Sequence, residues 1–486
     1  MEHLDNTSAL KLKLNVQPVF VSLMHIHEFM GPCRYGCGKE LSYEYDRERA
    51  MEANDLFVDD LEKYIDHNLV NLLPPKFLEW HEDFYVKEEE ISNVLENNSI
   101  VDVYLISGTR LVSYVSTIIA KRSHRAIAFC PLSNSIQSRL GGIDASANLH
   151  ALGIHDICNA LNYDDLNKFF RLKRAIKAIS KTKLMFAVRT NVLSYGCVSS
   201  FINLQDITDK FGMEILNCSG VEFFKDLDEM SEEDNKRAQE IADTLVAEAH
   251  GMHMPAENVV NDVRFYFVFY IAIKNKLNAS ECNAFTIPCF EMCATRQLNA
   301  RHLTFCLTNS LLKDEGIPAA CAADVGSVVS LSVLMNLFFA APHMGNCMVM
   351  LKDINNNQMR ILHDVPCRRM KGFDKPDLPI DYVSFTQGKW GATMRYDFAQ
   401  DTGEKITMIN MSPKMDKMMI ATGTINGCDD FLREECRLAV DFTVADARDF
   451  HSKQEYFGQH YAWVYGDVKD DLIKFCNMMN IEPVVA

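Results

Sequence analysis

The first third of the chain alternates short apolar runs with longer stretches of helical spacing. Residues 11–23 are rich in Val, Leu and Phe and predict a strand, and IVDVYLI at residues 100–106 is typical of a buried parallel strand. Residues 109–121 and 134–149 predict helices on either side of a strand at 125–129. This alternation predicts a doubly wound α/β domain, which we place at residues 1–170.

The same alternation continues through the middle of the chain. Strands are predicted at 183–189, 213–218 and 317–321, and the apolar run 325–340 predicts a helix directly after the last of them. We therefore expect a second doubly wound α/β domain at residues 171–346.

The pattern changes near Cys347. Short alternating runs separated by turn residues follow, among them 348–353, 358–363 and 405–412. These runs predict a β-rich C-terminal domain over residues 347–486, closed by a short amphipathic helix at 468–481.

Composition and charge exclude several classes of protein. Hydrophobic residues make up 48% and charged residues 24% of the chain, which is typical of a globular protein, and the net charge of −17 argues against nucleic-acid binding. The apolar stretch at 259–273 carries Asp262 and Arg264, so we expect no membrane segment.

The 16 cysteines are spread along the chain, and the N-terminus does not resemble a signal peptide. A cytoplasmic protein with reduced thiols is expected.

Glycines and cysteines suggest chemistry in two places. The loop GPCRYGCGKE at residues 31–40 lacks the spacing of a phosphate-binding loop, and predicts either a structural turn or a substrate-binding loop that presents Arg34. The cysteine spacings do not favour structural zinc. Cys321, between a strand and a helix, is either a core residue or a nucleophile near a helix N-terminus.

Histidines and polar side chains gather around predicted strand ends. Asp324 follows the strand at 317–321, where it either caps the next helix or faces a ligand crevice. His343 and Asn346 are expected in a loop beyond that helix, whereas His363 ends one later strand and His460 precedes another. A single histidine here has either a structural or a functional role, but several near carboxylates and amides favour a site.

Three segments resemble one enzyme family. They are LLKDEGIPAACAADVGSVVSLSVLMNLFFAAPHMGN at residues 311–346, ILHDVPC at 361–367 and GQHYAWVYGDVKDDLIKFCNMMNIEPV at 458–484. Together they resemble, in order, the core signature, the His-Cys-x-x-Pro segment and the closing segment of the L-fucose isomerase and L-arabinose isomerase superfamily. The resemblance implies two α/β domains followed by a β-rich domain, and trimers or hexamers with sites between subunits.

The resemblance also implies aldose–ketose isomerisation through an ene-diol, with Mn²⁺ or a similar divalent ion held by two carboxylates and one or two histidines. The two carboxylate positions correspond to Ala322 and Asn346 in this chain, and the histidine positions to His363 and His460. The metal ligands implied here are Asn346, His363 and His460, and with Asp324 they form the catalytic set. Without the carboxylates the chain is expected to bind the ion weakly or to have lost it.

Three functions follow as hypotheses: a sugar or sugar-phosphate isomerase, a carbon–carbon lyase or decarboxylase acting on a keto-sugar, and a non-catalytic sugar-binding subunit. The candidate substrate contacts form one set: Arg34, Glu291, Trp390 and Arg395. We expect Asp324, Asn346, His363 and His460 to line one pocket although they lie far apart in the sequence.

Overall fold

The structure is a computed structural model of the 486-residue chain. The residues that it describes are 4–24, 43–81, 87–108, 112–130, 136–187, 202–254, 256–289, 292, 296, 298–301, 303, 305–363, 365–384, 392–429, 432 and 438–486. They form two compact units, one of residues 12–177 and one of residues 1–11 together with 178–486. No helix among them is both long enough and apolar enough to cross a bilayer.

The smaller unit is a doubly wound α/β domain. Its elements are β1 (Leu14–Met24), α1 (Tyr43–Tyr64), β2 (Val70–Leu72), β3 (Lys76–His81), α2 (Glu88–Leu95), β4 (Val103–Gly108), α3 (Val112–Ser123), β5 (Ala126–Phe129), α4 (Ile136–Ala151), β6 (Ile157–Asn159) and α5 (Tyr163–Ser180). The strands are parallel in the order β2-β1-β4-β5-β6, and β3 also pairs with β1. Val19 and Val21 pack into the core beneath α2, α3 and α4, whereas the Phe20 ring lies 5.9 Å from Phe57 of α1. Helices therefore cover both faces, as the sequence pattern predicted.

The larger unit begins with a second parallel sheet. Its elements up to residue 338 are β7 (Lys183–Phe186), α6 (Leu204–Phe211), β8 (Glu214–Asn217), α7 (Gly220–Asp228), α8 (Glu232–Ala247), β9 (Gly251–His253), α9 (Ala256–Ala279), β10 (Ala284–Thr286), α10 (Cys306–Asp314), β11 (Ala319–Ala320) and α11 (Val325–Phe338). The parallel order is β11-β10-β7-β8, and Thr286 pairs with Ala320. The mixed α/β class expected for this region is confirmed.

An antiparallel barrel forms the C-terminal part. Its elements are β12 (His343–Val349), β13 (Gln358–Leu362), β16 (Lys405–Met411), β17 (Lys417–Asp429), β18 (Ala439–Val444), α12 (Ala447–Gln454), β19 (His460–Tyr465), α13 (Lys469–Met478) and β20 (Glu482–Val485). The order β16-β19-β12-β13-β18-β17 closes because β17 also pairs with β16, and β20 extends β17 in parallel. The prediction of a β-rich C-terminal region is confirmed.

A small separate sheet contains β14 (Asp381–Ser384) and β15 (Ala392–Arg395) together with β9. Its strand order is β15-β14-β9.

Helix α11 is the centre of the larger unit. Every residue from Val325 to Leu337 is buried, because α11 packs against β10 and β11 and also against β16 and β19 of the barrel. A helix that is apolar on all sides is typical of such a position. The barrel interior is filled by apolar and aromatic side chains such as Tyr461 and Trp463, so residues of β19 that face outward meet α11.

Two side chains of α10 hold the segment after β13 by hydrogen bonds to its backbone. Ser310 Oγ donates a hydrogen bond to the Val365 carbonyl oxygen at 2.6 Å, and the Asp314 carboxylate accepts from the backbone N–H groups of Arg368 and Arg369 at 3.1 and 2.9 Å. Burial raises the pKa of Asp314 to about 6, against the opposing effect of the Arg368 charge.

The first prediction concerns Gly345, which lets β12 approach β13. A Cβ atom there would lie 2.9 Å from Ile361 Cγ1 and 2.9 Å from the Leu362 carbonyl oxygen, which is backbone. Gly345→Ala should lower the free energy of unfolding by about 1–3 kcal/mol through overpacking, measured by urea denaturation. Gly427→Ala is the matched control, because its nearest neighbour would be 3.7 Å away. Equal effects of the two substitutions would contradict this account.

The second prediction concerns pH. Because the folded-state pKa of Asp314 exceeds its ordinary value, its stabilising contribution is full below about pH 4 and is lost as the pH rises through about 6. The difference in unfolding free energy between wild type and Asp314→Asn should therefore shrink from pH 4 to pH 7, as followed by urea denaturation. For Asp446→Asn the difference should stay nearly constant over the same range, since backbone hydrogen bonds lower the pKa of Asp446 and its contribution is lost only below about pH 4. A difference for Asp314→Asn that does not vary with pH would refute the prediction.

Candidate active site

A tight turn joins β11 to α11. Ala322 and Ala323 both have left-handed backbone conformations, with φ of 57° and 53°. Ala323 N donates to the Ile287 carbonyl oxygen at 2.9 Å, and Ala322 N donates to Cys289 Sγ at 3.3 Å. Consecutive non-glycine residues of this kind carry a conformational cost, which these bonds to the segment after β10 offset.

Asp324 ends this turn, and its carboxylate bonds to both a backbone N–H and a histidine. Its Oδ1 accepts from the backbone N–H of Ser327 at 3.0 Å and caps α11, and its Oδ2 accepts from His460 Nδ1 at 2.6 Å. Asp324 is 1% exposed and His460 is 5% exposed. The side chain is therefore both a helix cap and the partner of a buried histidine.

The barrel brings two further residues to His460. Asn346 lies directly opposite His460 between β12 and β19, and opposite Leu362 between β12 and β13. Directly paired residues project from the same face with Cβ atoms about 5 Å apart. His363 follows Leu362 with a φ of 123°, and its ring centroid lies 5.8 Å from that of His460.

His363 also contacts a thiol. Cys321 Sγ lies 3.3 Å from His363 Nδ1, and Cys321 is 1% exposed. The site thus contains two pairs, Cys321 with His363 and Asp324 with His460. A carboxylate that holds one ring nitrogen of a histidine sets its tautomer and stabilises its protonated form, so the other nitrogen can exchange a proton.

Asp324, Asn346, His363 and His460 lie together, but two positions differ from expectation. His343 and Asn346 were predicted in a loop, and this is wrong: both belong to β12. His343 points into the barrel, 5.5 Å from the Trp463 ring, whereas Asn346 lies on the outer face near Asp324. Both faces of β12 therefore carry a polar residue, and this hides the alternation of apolar and polar positions that predicts a strand.

Of the candidate substrate contacts, Arg395 is the one among the described residues, and it belongs to a different sheet from Asn346 and His460. Arg395 is fully buried in β15, within the small three-stranded sheet, and its Nη1 donates to the Met394 carbonyl oxygen at 3.3 Å. Arg34, Glu291 and Trp390 fall outside the described residues.

The sequence alone did not reveal what surrounds the thiols of Cys289 and Cys321. Our interpretation considered Cys321 as an isolated candidate and did not connect Cys289 with it. A signal was present, since strands are predicted at 283–289 and 317–321, each with a cysteine as its last residue, and parallel neighbouring strands end at the same sheet edge.

The donor atoms do not fit Mn²⁺. That ion prefers carboxylate and other oxygen ligands, whereas this site offers two imidazoles, a thiol and one amide, and Ala322 occupies the position of the expected glutamate. The Asp324 carboxylate is already bonded to Ser327 and His460. Within the described ranges, no three His, Cys, Asp or Glu side chains are grouped so that they could hold a metal ion.

No protein-family model matches the chain, and no curated protein matches its sequence at significant similarity.

The third prediction separates the two roles of Asp324. Asp324→Ala removes both the cap and the partner of His460, and should lower the free energy of unfolding by about 2–4 kcal/mol, whereas Asp324→Asn keeps an oxygen for the cap and should cost less. Asp446→Ala, which removes the cap of the exposed helix α12, is the control and should cost less than Asp324→Ala. Chemical denaturation measures all three, and equal losses for both alanine variants would show that the pairing with His460 adds no stability.

Proposed function

We propose that the chain is an enzyme that interconverts an aldose and a ketose, or their phosphates, through an ene-diol. The observation that carries this proposal is the buried Asp324–His460 pair, with His363 and Asn346 beside it. Ene-diol chemistry needs one group that moves a proton between two carbons and another that moves a proton between two oxygens.

His460 is the carbon base in this proposal. Asp324 holds its Nδ1, so Nε2 is the nitrogen directed to the substrate. Nε2 takes the proton from C2 of the aldose, and the C–H electrons form the C1=C2 bond of the ene-diol. The C1=O π electrons move to O1, which gains a proton. The imidazolium, stabilised by the Asp324 charge, then returns its proton to C1.

His363 and Asn346 act on the oxygens. His363 supplies the proton to O1 and receives the one that leaves O2 as the ketose carbonyl forms, while contact with Cys321 fixes its ring. The Asn346 amide donates a hydrogen bond to the oxygen that carries negative charge during the reaction. No step depends on a metal ion, in keeping with the donor set.

The proposal extends to the setting of the enzyme. We place it in the cytoplasm as a homo-oligomer, a trimer or a hexamer, with a small sugar as its partner. The resemblance of residues 311–346, 361–367 and 458–484 to the fucose and arabinose isomerase superfamily supports the oligomer and the sugar, and the cysteines spread along the chain support the cytoplasm.

The fourth prediction is an isotope-exchange experiment. The protein is incubated in D₂O with a panel of aldoses, ketoses and their phosphates, with EDTA or with added Mn²⁺, and NMR follows deuterium at C1 and C2. Wild type should catalyse exchange in EDTA. His460→Gln should lower the exchange rate about 10²- to 10⁴-fold because the carbon base is lost.

His451→Gln, which changes an exposed histidine of α12, is the matched control and should leave the rate unchanged. Circular dichroism and thermal melting show whether each variant folds. Exchange that persists in folded His460→Gln contradicts the proposed base. Shorter products from wild type indicate a lyase or decarboxylase instead, and binding without exchange indicates a sugar-binding subunit.

A further inference from the structure

Two cysteines follow neighbouring strands at the same edge of the second parallel sheet. β10 and β11 pair through Thr286 and Ala320, Cys321 follows β11 directly, and Cys289 lies three residues past the end of β10. The paired strands thus bring the backbone segments that carry the two cysteines to the same end of the sheet.

The hydrogen bonds around the turn bring the two cysteines closer. Cys289 Sγ accepts from Ala322 N at 3.3 Å, and that nitrogen is bonded to the carbonyl carbon of Cys321. Ala323 N donates to the Ile287 carbonyl oxygen at 2.9 Å, which ties the same two backbone segments a second time. Neither cysteine is part of a disulfide in the structure.

Two other described cysteines, Cys282 and Cys476, lie in the core. Burial raises the pKa of Cys282 to about 11 and that of Cys476 to about 12, which is typical of inert core thiols. Cys289 is half-buried, and Cys321 contacts an imidazole. Redox-sensing thiols combine access at one cysteine with a second cysteine nearby.

We propose that Cys289 and Cys321 form a reversible disulfide when the protein meets a peroxide. The Cys289 thiol attacks one oxygen of hydrogen peroxide, the O–O bond breaks, and a sulfenic acid and one water result. Cys321 sulfur then attacks the Cys289 sulfur, the S–O bond breaks, and the leaving hydroxyl takes the Cys321 proton as a second water. The two thiols lose two electrons and the peroxide gains them.

The disulfide would alter the candidate site. It withdraws Cys321 sulfur from His363 and removes the Cys289 acceptor from Ala322 N, three and two residues before Asp324 in the chain. Because Asp324 holds His460, oxidation at this turn is transmitted to the second pair. The redox step goes beyond the proposed function and does not depend on sugar turnover.

The fifth prediction is the disulfide itself. The full-length protein is treated with hydrogen peroxide, and remaining thiols are blocked with N-ethylmaleimide in denaturant so that the buried Cys321 is reached. The protein is then digested without reduction for mass spectrometry. The peptides of Cys289 and Cys321 should be linked in most molecules, and dithiothreitol should release them. Cys289→Ser should abolish the link, whereas Cys347→Ser, which changes a buried barrel cysteine, should keep it.

Two outcomes overturn the proposal: both cysteines remaining fully labelled by N-ethylmaleimide, and a link from either one to another cysteine, Cys293 included. Peptide mapping decides this whether or not any sugar turns over. Where exchange activity is present, oxidation should lower it at least 10-fold in wild type but not in Cys289→Ser, and dithiothreitol should restore it. Lack of exchange with an intact link therefore removes the proposed function and leaves the disulfide.

Discussion

The buried carboxylate of Asp324 joins the central helix of the larger unit to the barrel packed against it. Helix α11 is enclosed on all sides, so water does not supply acceptors for its first N–H groups, and the chain must provide one. A carboxylate does so and gains from the helix dipole, but a buried charge needs a second partner. His460 of the barrel is that partner. The need to cap α11 therefore also positions His460, the candidate base.

The barrel determines which other side chains reach this carboxylate. Closure through β16 and β17 leaves the strand register little freedom, and the register places Asn346 opposite His460 on the outer face. A shift of one residue would turn both side chains into the apolar interior. Three of the ten described non-glycine residues with positive φ lie nearby: Ala322, Ala323 and His363. Strain supported by surrounding hydrogen bonds is typical of functional sites.

Much of the fold was predictable because its signals are local. The run at 100–106 and the helix after residue 325 show their burial in their own residues, and β4 and α11 lie within or close to the predicted ranges. β9 has only three residues and exists because it pairs with β14, more than a hundred positions later, so no window of sequence contains its signal. The strand at Asn346 was missed for a related reason, since its polar face meets a buried carboxylate from another element rather than solvent.

The candidate site was predictable in its members but not in its chemistry. Strand ends and histidines identified four residues, while the pairing of Cys321 with His363 depends on a turn whose left-handed alanines no propensity indicates. That pairing changes which chemistry these side chains favour. A pair of carboxylates would favour a hard cation, whereas imidazoles and thiols favour proton transfer and thiol oxidation. Proton transfer and thiol oxidation both involve the segment from Cys321 to Asp324. The turn that positions the Cys321 thiol also begins α11, and the residue that caps α11 holds His460. We therefore expect oxidation of the Cys321 sulfur to act on His460 through the three residues of backbone that lead to Asp324.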